Sequence, residues 1–132
     1  EGLVMRGGQQ NLVAGCTFRQ LGTNALVVSG GQGHGVLGCD LHTLGAGGVR
    51  MAGGDRKTLA PSGHFVENCH IHDTGDAAVT ANDTGSAYEG LRFVRNHIHH
   101  TNNTGEGMYL GCNYGACEMF SSAIEGNWIH DR

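Results

Sequence analysis

Five segments of the chain end alike, and no other feature of the sequence restricts its fold as tightly. They are CTFRQLG (16–22), CDLHTLG (39–45), CHIHDTG (69–75), NHIHHTNNTG (96–105) and NWIHDR (127–132). With Phe18, Leu41, Ile71, Ile98 and Ile129 placed in one column, the repeats advance by 23, 30, 27 and 31 residues. Unequal steps around a constant signature mean a fixed core with loops of variable length. Two positions before that column stand Cys16, Cys39, Cys69, Asn96 and Asn127, and five before it stand Val13, Val36, Val66, Phe93 and Ile124.

A second strand opens each repeat: LVMR (3–6), LVVS (26–29), VRMA (49–52), VTAN (79–82) and MYLG (108–111). Period-2 alternation points Leu3, Leu26, Val49, Val79 and Met108, then Met5, Val28, Met51, Ala81 and Leu110, inward. Val4, Val27, Arg50, Thr80 and Tyr109 become the outward column. Parallel strands need a crossover of a dozen or more residues; with no helical segment between the columns, the crossover is the remainder of the coil. The expected fold is therefore all-β, a right-handed parallel β-helix (β-solenoid) of about five coils forming one domain, at roughly 1–22, 23–45, 46–75, 76–105 and 106–132. An antiparallel sandwich would not make every repeat end in the same signature.

Composition agrees. Of 132 residues 24 are Gly and 1 is Pro, and each interior Gly costs a helix about 0.5–1 kcal/mol relative to Ala. The glycines that close the coils, Gly22, Gly45, Gly75 and Gly105, are expected at tight turns of positive φ, and Gly30, Gly31, Gly53 and Gly54 at the corner where the strand leaves for its loop. A net charge of −4 from 8 basic and 12 acidic residues argues against a nucleic-acid partner held through phosphates. No apolar run approaches the roughly 18 residues of a membrane-spanning helix.

Inward Cys and Asn at one position per coil read as structural, the amides pairing along the axis and Cys filling a small buried space. Cys112 and Cys117 close a short loop, either as a local disulfide or as free thiols. Arg19, His42, His72, His99 and His130 form an outer column, with His70 and His97 two residues earlier and His100 beside His99. Imidazoles about 4.8 Å apart suit a metal such as Zn²⁺ or Cu²⁺; a flat stripe, however, does not converge its ligands, and no metal site is assigned.

Chemistry is expected where the repeat deviates. Three loops, at 53–63, 83–90 and 112–122, leave the coil at one corner and should pile into a rim beside Arg50, Thr80 and Tyr109, a groove suited to an extended polymer. Asp76 and Glu106 each follow the Gly ending a coil and are expected in one column, about 4.8 Å apart; two carboxylates at 5–5.5 Å serve a retaining glycosidase. Asp83 at the strand exit and Asp55 in the first loop are candidates for the second acid. The alternative is that these acids cap turns and stay solvated, or hold Ca²⁺ through oxygen ligands. In a lyase, Arg50, Arg56 or Lys57 would take the proton alpha to a uronate carboxylate or stabilise the developing charge. The candidate catalytic set is thus Asp76, Glu106 and Asp83, with Arg50, Thr80, Tyr109, Asp55, Arg56 and Lys57 binding substrate.

The coil ends CHIHDTG and NHIHHTNNTG, with GGVRMAGGDRKTLAPSGHFVENCHIHD (47–73), resemble the bacterial right-handed parallel β-helix repeat proteins that include polysaccharide lyases and β-helix glycoside hydrolases. The resemblance spans nearly the whole chain, and its coil-end motif is specific for the fold rather than for an activity. It implies a secreted or periplasmic protein that binds or processes a polysaccharide. Such proteins are usually several hundred residues long and capped at the N-terminus. Five uncapped coils instead raise a competing expectation: a non-catalytic scaffold, fragment or design that associates end to end.

Overall fold

The computed structural model describes residues 1–54, 58, 60–83, 88–103, 105–111 and 119–131. Among the described residues its strands form three five-stranded parallel sheets and one two-stranded parallel pair, and there is no helix. The first sheet stacks Leu3–Arg6, Leu26–Ser29, Val49–Ala52, Val79–Ala81 and Met108–Leu110; the second stacks Leu12–Ala14, Gly35–Leu37, Phe65–Glu67, Arg92–Val94 and Ala123–Glu125. Thr17–Leu21, Asp40–Leu44, His70–Thr74, His97–Thr101 and Trp128–His130 make the third. Each coil visits the sheets in that order, so all pairing is between coils, as in a β-solenoid.

The registers reproduce the sequence columns. Leu3, Leu26, Val49, Val79 and Met108 are successive partners, as are Val4, Val27, Arg50, Thr80 and Tyr109. Val13, Val36, Val66, Phe93 and Ile124 form the inward column of the second sheet, and Phe18, Leu41, Ile71, Ile98 and Ile129 that of the third. Inside, Leu26, Val36, Leu41, Met51, Val66, Ile71, Phe93 and Ile98 are fully buried. At the last rung the same columns open to solvent, with Ile124 55% and Ile129 42% exposed.

The turn between the second and third sheets explains the Cys/Asn column. Gly15, Gly38, Asn68, Arg95 and Gly126 all adopt positive φ, between 52° and 63°, and each precedes its Cys or Asn. Where the strands part at this bend, the Asn amides replace the missing ladder. Asn96 accepts from Cys69 N (2.9 Å) and donates to Val66 O (2.9 Å), while Asn127 accepts from Asn96 N (2.9 Å) and donates to Phe93 O (2.7 Å). Asn96 Nδ2 also donates to Asn127 Oδ1 at 3.0 Å, the axial amide pairing expected of the column. Cys39 and Cys69 place weaker S–H donors on Val13 O and Val36 O of the coil below. Cys16, Cys39 and Cys69 are free thiols, and burial pushes Cys69 up to about 11. Cys112 and Cys117 lie outside the described residues.

One expectation is corrected. The coil-closing glycines Gly22, Gly45, Gly75 and Gly105 do not have positive φ; Gln20, Thr43, Asp73, His100 and Asp131 take that conformation just before the coil ends. Glycine is required for close approach instead: a Cβ on Gly45 would collide with the Gly22 carbonyl, and one on Gly75 with the Gly45 carbonyl. At the loop corner, Gly30, Gly31 and Gly54 do have positive φ, and Gly53 does not.

Candidate functional site

Two outer faces carry the polar side chains of interest. On the first sheet, Arg50 projects between Val27 and Thr80, and its Nη2 meets Asp83 Oδ1 at 2.8 Å. The hydrogen bond to Asp83 raises the Arg50 pKa further. Asp83 is positioned by a residue that the sequence columns do not single out, Tyr88. Its ring is buried, and its hydroxyl accepts from Asp83 N at 2.7 Å and lies 3.3 Å from Met51 O. Tyr88 stands in a short strand, Tyr88–Glu89, paired with Met119–Phe120 of the next coil. Gly63 N donates to Glu89 O and Gly90 N to Phe120 O. The described returning ends of the three loops thus stack on one another at the corner leading into the second sheet, while 55–57, 59, 84–87 and 112–118 lie outside the described residues.

The Arg50/Asp83 pair stands between two shallow clefts. One, of about 240 Å³, runs towards Arg6 and Ser29; the other, of about 370 Å³, is lined by Asn24, Asp76, Thr80 and Asn82 as well as by the pair itself. Asp76, Asp83, Arg50 and Thr80 are therefore brought together, whereas Glu106 and Tyr109 line neither cleft. Asp55, Arg56 and Lys57 lie outside the described residues.

The expected Asp76/Glu106 column is corrected. Val79 pairs with Met108, and Ala78 N donates to Glu106 O, a register that sets Ala77 beside Glu106 and leaves Asp76 one residue out of step. Asp76 Oδ1 accepts from Ala77 N at 2.9 Å, the turn-capping role posed as the alternative to catalysis. Asp76, Asp83 and Glu106 belong to none of the groups of three or more metal-ligating side chains gathered among the described residues.

The third sheet presents two outward columns, Thr17, Asp40, His70, His97, Trp128 and Arg19, His42, His72, His99, His130. They are not the flat stripe expected. Three of the five first-column side chains lean to the second column of the next coil: Asp40 Oδ1 lies 3.3 Å from His72 Nε2, His70 Nε2 lies 2.8 Å from His99 Nε2, and His97 Nε2 lies 2.8 Å from His130 Nε2. Along the columns the rings stack, His42 on His72 at 4.9 Å and His72 on His99 at 4.9 Å between centroids. Burial, with the neighbouring His72, lowers the pKa of both His70 and His99. His72 and His130 bond Asp73 and Asp131 and hold those carboxyls below their usual range.

Two further histidines escape the coil-end signature. His34 and His64 are fully buried at the corner leading into the second sheet, two residues before the inward Val36 and Val66, and stack at 5.2 Å. The recurrence of His at that offset was the available signal. Burial lowers His64 to about 4.

No curated protein and no solved structure matches the chain. The model of a family described as the right-handed β-helix region covers residues 1–131. Its match over every coil, on a chain wound as three parallel sheets, means that the protein belongs to the right-handed β-helix family.

Proposed function

We propose that the protein binds an extended polysaccharide along the outer face of the first sheet, in a secreted or periplasmic setting. The observation that carries this reading is the Arg50/Asp83 pair standing between two polar clefts that follow the coil axis. A guanidinium fork and a carboxylate side by side offer donors and acceptors matched to vicinal hydroxyls, and the guanidinium alone matches a uronate carboxylate. Thr80, Asn24 and Asn82 add hydrogen-bonding side chains in the larger cleft. Consecutive sugars of a polymer would lie across successive coils, which the parallel stacking spaces by about 4.8 Å.

Cleavage is a second reading, favoured by Asp76 and Asp83 lining one cleft with Arg50. Asp83 and Asp76 would then act as the acid and base of a glycosidase, or Arg50 would stabilise the charge that develops in a lyase. Titration calorimetry against neutral and uronate polysaccharides tests the binding claim: Arg50→Ala should weaken binding at least tenfold. No binding to any polymer by the folded protein overturns it. Reducing-end and unsaturated-product assays with wild type and Asp83→Asn decide whether a bond is broken.

A further inference from the structure

The histidine face is independent of that groove, lying on the third sheet. We propose that His70, His97 and His99 chelate one borderline divalent transition-metal ion, of the class Cu²⁺, Ni²⁺ or Zn²⁺. Each of the three offers a ring nitrogen, and these atoms all lie within 4.8 Å of one another. The diagonal lean of His70 onto His99, closer than the coil spacing, is what separates this set from a row of imidazoles.

The closest pair, His70 Nε2 and His99 Nε2 at 2.8 Å, matches two neighbouring ligands on one ion. With metal–nitrogen bonds of about 2.0–2.1 Å, cis nitrogens of a tetragonal ion lie about 2.9 Å apart. The third ligand, His97, stacks on the His70 ring at 4.8 Å and on Trp128 at 4.3 Å, each nearly parallel, so its ring must turn out of that stack to aim its in-plane lone pair at an ion held by His70 and His99. All three side chains are half-buried, so they are constrained yet reachable by an ion from solvent.

A second observation points the same way. Asp40 Oδ1 is covered, although the side chain is 45% exposed, and meets no hydrogen-bond geometry among the described residues; it faces His70 Nδ1 at 3.8 Å and His72 Nε2 at 3.3 Å. His70 therefore has a carboxylate 3.8 Å from one nitrogen and the ligand cluster on the other. That distance is too long for a hydrogen bond, but the negative charge favours a proton on Nδ1, the tautomer that leaves the Nε2 lone pair free for the metal. Three protein ligands on an outer face leave coordination positions for water or an added ligand. Hard ions are not expected, because Ca²⁺ and Mg²⁺ require oxygen ligands.

Calorimetry of the full chain with Cu²⁺, Ni²⁺, Zn²⁺, Ca²⁺ and Mg²⁺ salts is the direct test. One ion per chain should bind, Cu²⁺ most tightly, with no uptake of Ca²⁺ or Mg²⁺. His70→Gln and His99→Gln, each checked for native circular dichroism, should weaken binding at least tenfold, and His42→Gln less than twofold. Nitrogen hyperfine splitting in the Cu²⁺ electron paramagnetic resonance spectrum of the unmutated protein reads the ligand set without any substitution. Absent binding, several equivalent ions per chain, a spectrum without nitrogen coupling, or equal weakening by His42→Gln would overturn the proposal.

Discussion

His34 and His64 stack in a column much as the histidines of the third sheet do, but the two sets use their nitrogens in opposite ways. In the buried pair three of the four ring nitrogens serve the backbone, and the fourth, His64 Nε2, is buried without a hydrogen bond among the described residues. Asn11 N donates to His34 Nδ1 and His34 N to His64 Nδ1, both at 3.1 Å, and His34 Nε2 donates to Gly7 O at 2.7 Å. These rings act as internal splints at a corner where the strands part. On the third sheet the facing groups are other side chains: His99 for His70, His130 for His97, Asp40 for His72. A stacked column of one residue type is thus no guide to its role; what the ring nitrogens face is.

The contrast is broken most severely at the corner. A Cβ on Gly53 would collide with the His64 ring, so Gly53→Ala must displace a fully buried side chain and the hydrogen bond from His34 N. His64→Ala instead leaves a cavity and an unpaired buried N–H. Each is expected to cost about 3 kcal/mol, read as a lower urea midpoint with unchanged slope. A loss below about 1 kcal/mol for both would show that the corner relaxes freely and that the buried pair is not a splint.

Acid should separate the two sets next. His64 titrates at about 4 when folded because burial, then the stacked His34, disfavours its charge, while the carbonyls of Ala52 and Gly30 act in the opposite sense. Unfolded, it titrates near about 6.5. Between those values the unfolded chain binds more protons, so stability falls as pH drops from about 6.5 towards 4, by up to about 3 kcal/mol from this group. His70 and His99 shift in the same direction. Urea midpoints at pH 7, 5.5 and 4.5 should converge for His64→Gln relative to the unmutated protein; parallel lines would assign the acid sensitivity to the outer face.

Much of the fold was legible because one coil-end signature and one alternating strand recur, and a parallel stack forces equivalent residues into register. Every inward column, from Leu3 to Met108 and from Phe18 to Ile129, follows from that. Exposure along a column did not: Ile98 is buried and Ile129 42% exposed, although the two are register partners. The coil-closing glycines looked like left-handed turns, yet Gly45 and Gly75 are needed because successive backbones touch there. Asp76 and Glu106 looked like column mates when counted from their glycines. Counted towards the strand, Asp76 is three residues from Val79 and Glu106 only two from Met108. The candidate groove was legible in Arg50, Thr80 and Asp83, but Tyr88, which fixes Asp83, lies in a loop with no repeating pattern. Convergence of the outer histidines depends on diagonal side-chain lean, which column spacing alone does not encode.

The smallest effect is expected on the third sheet itself. His42 is half-buried, stacks on His72 with rings 7° from parallel, and bonds Thr43 Oγ1 through Nδ1 at 3.0 Å. Glutamine keeps a hydrogen-bonding end and a flexible stem that can lie over the His72 ring, so His42→Gln removes one solvent-exposed stack and little else. Its unfolding free energy should stay within about 0.5 kcal/mol of the unmutated value, as for surface changes that leave no buried group unpaired. A loss of 2 kcal/mol or more would place the outer column beside the His34/His64 corner as a structural splint, and the distinction between the two sets of histidines would then have to rest on metal binding alone.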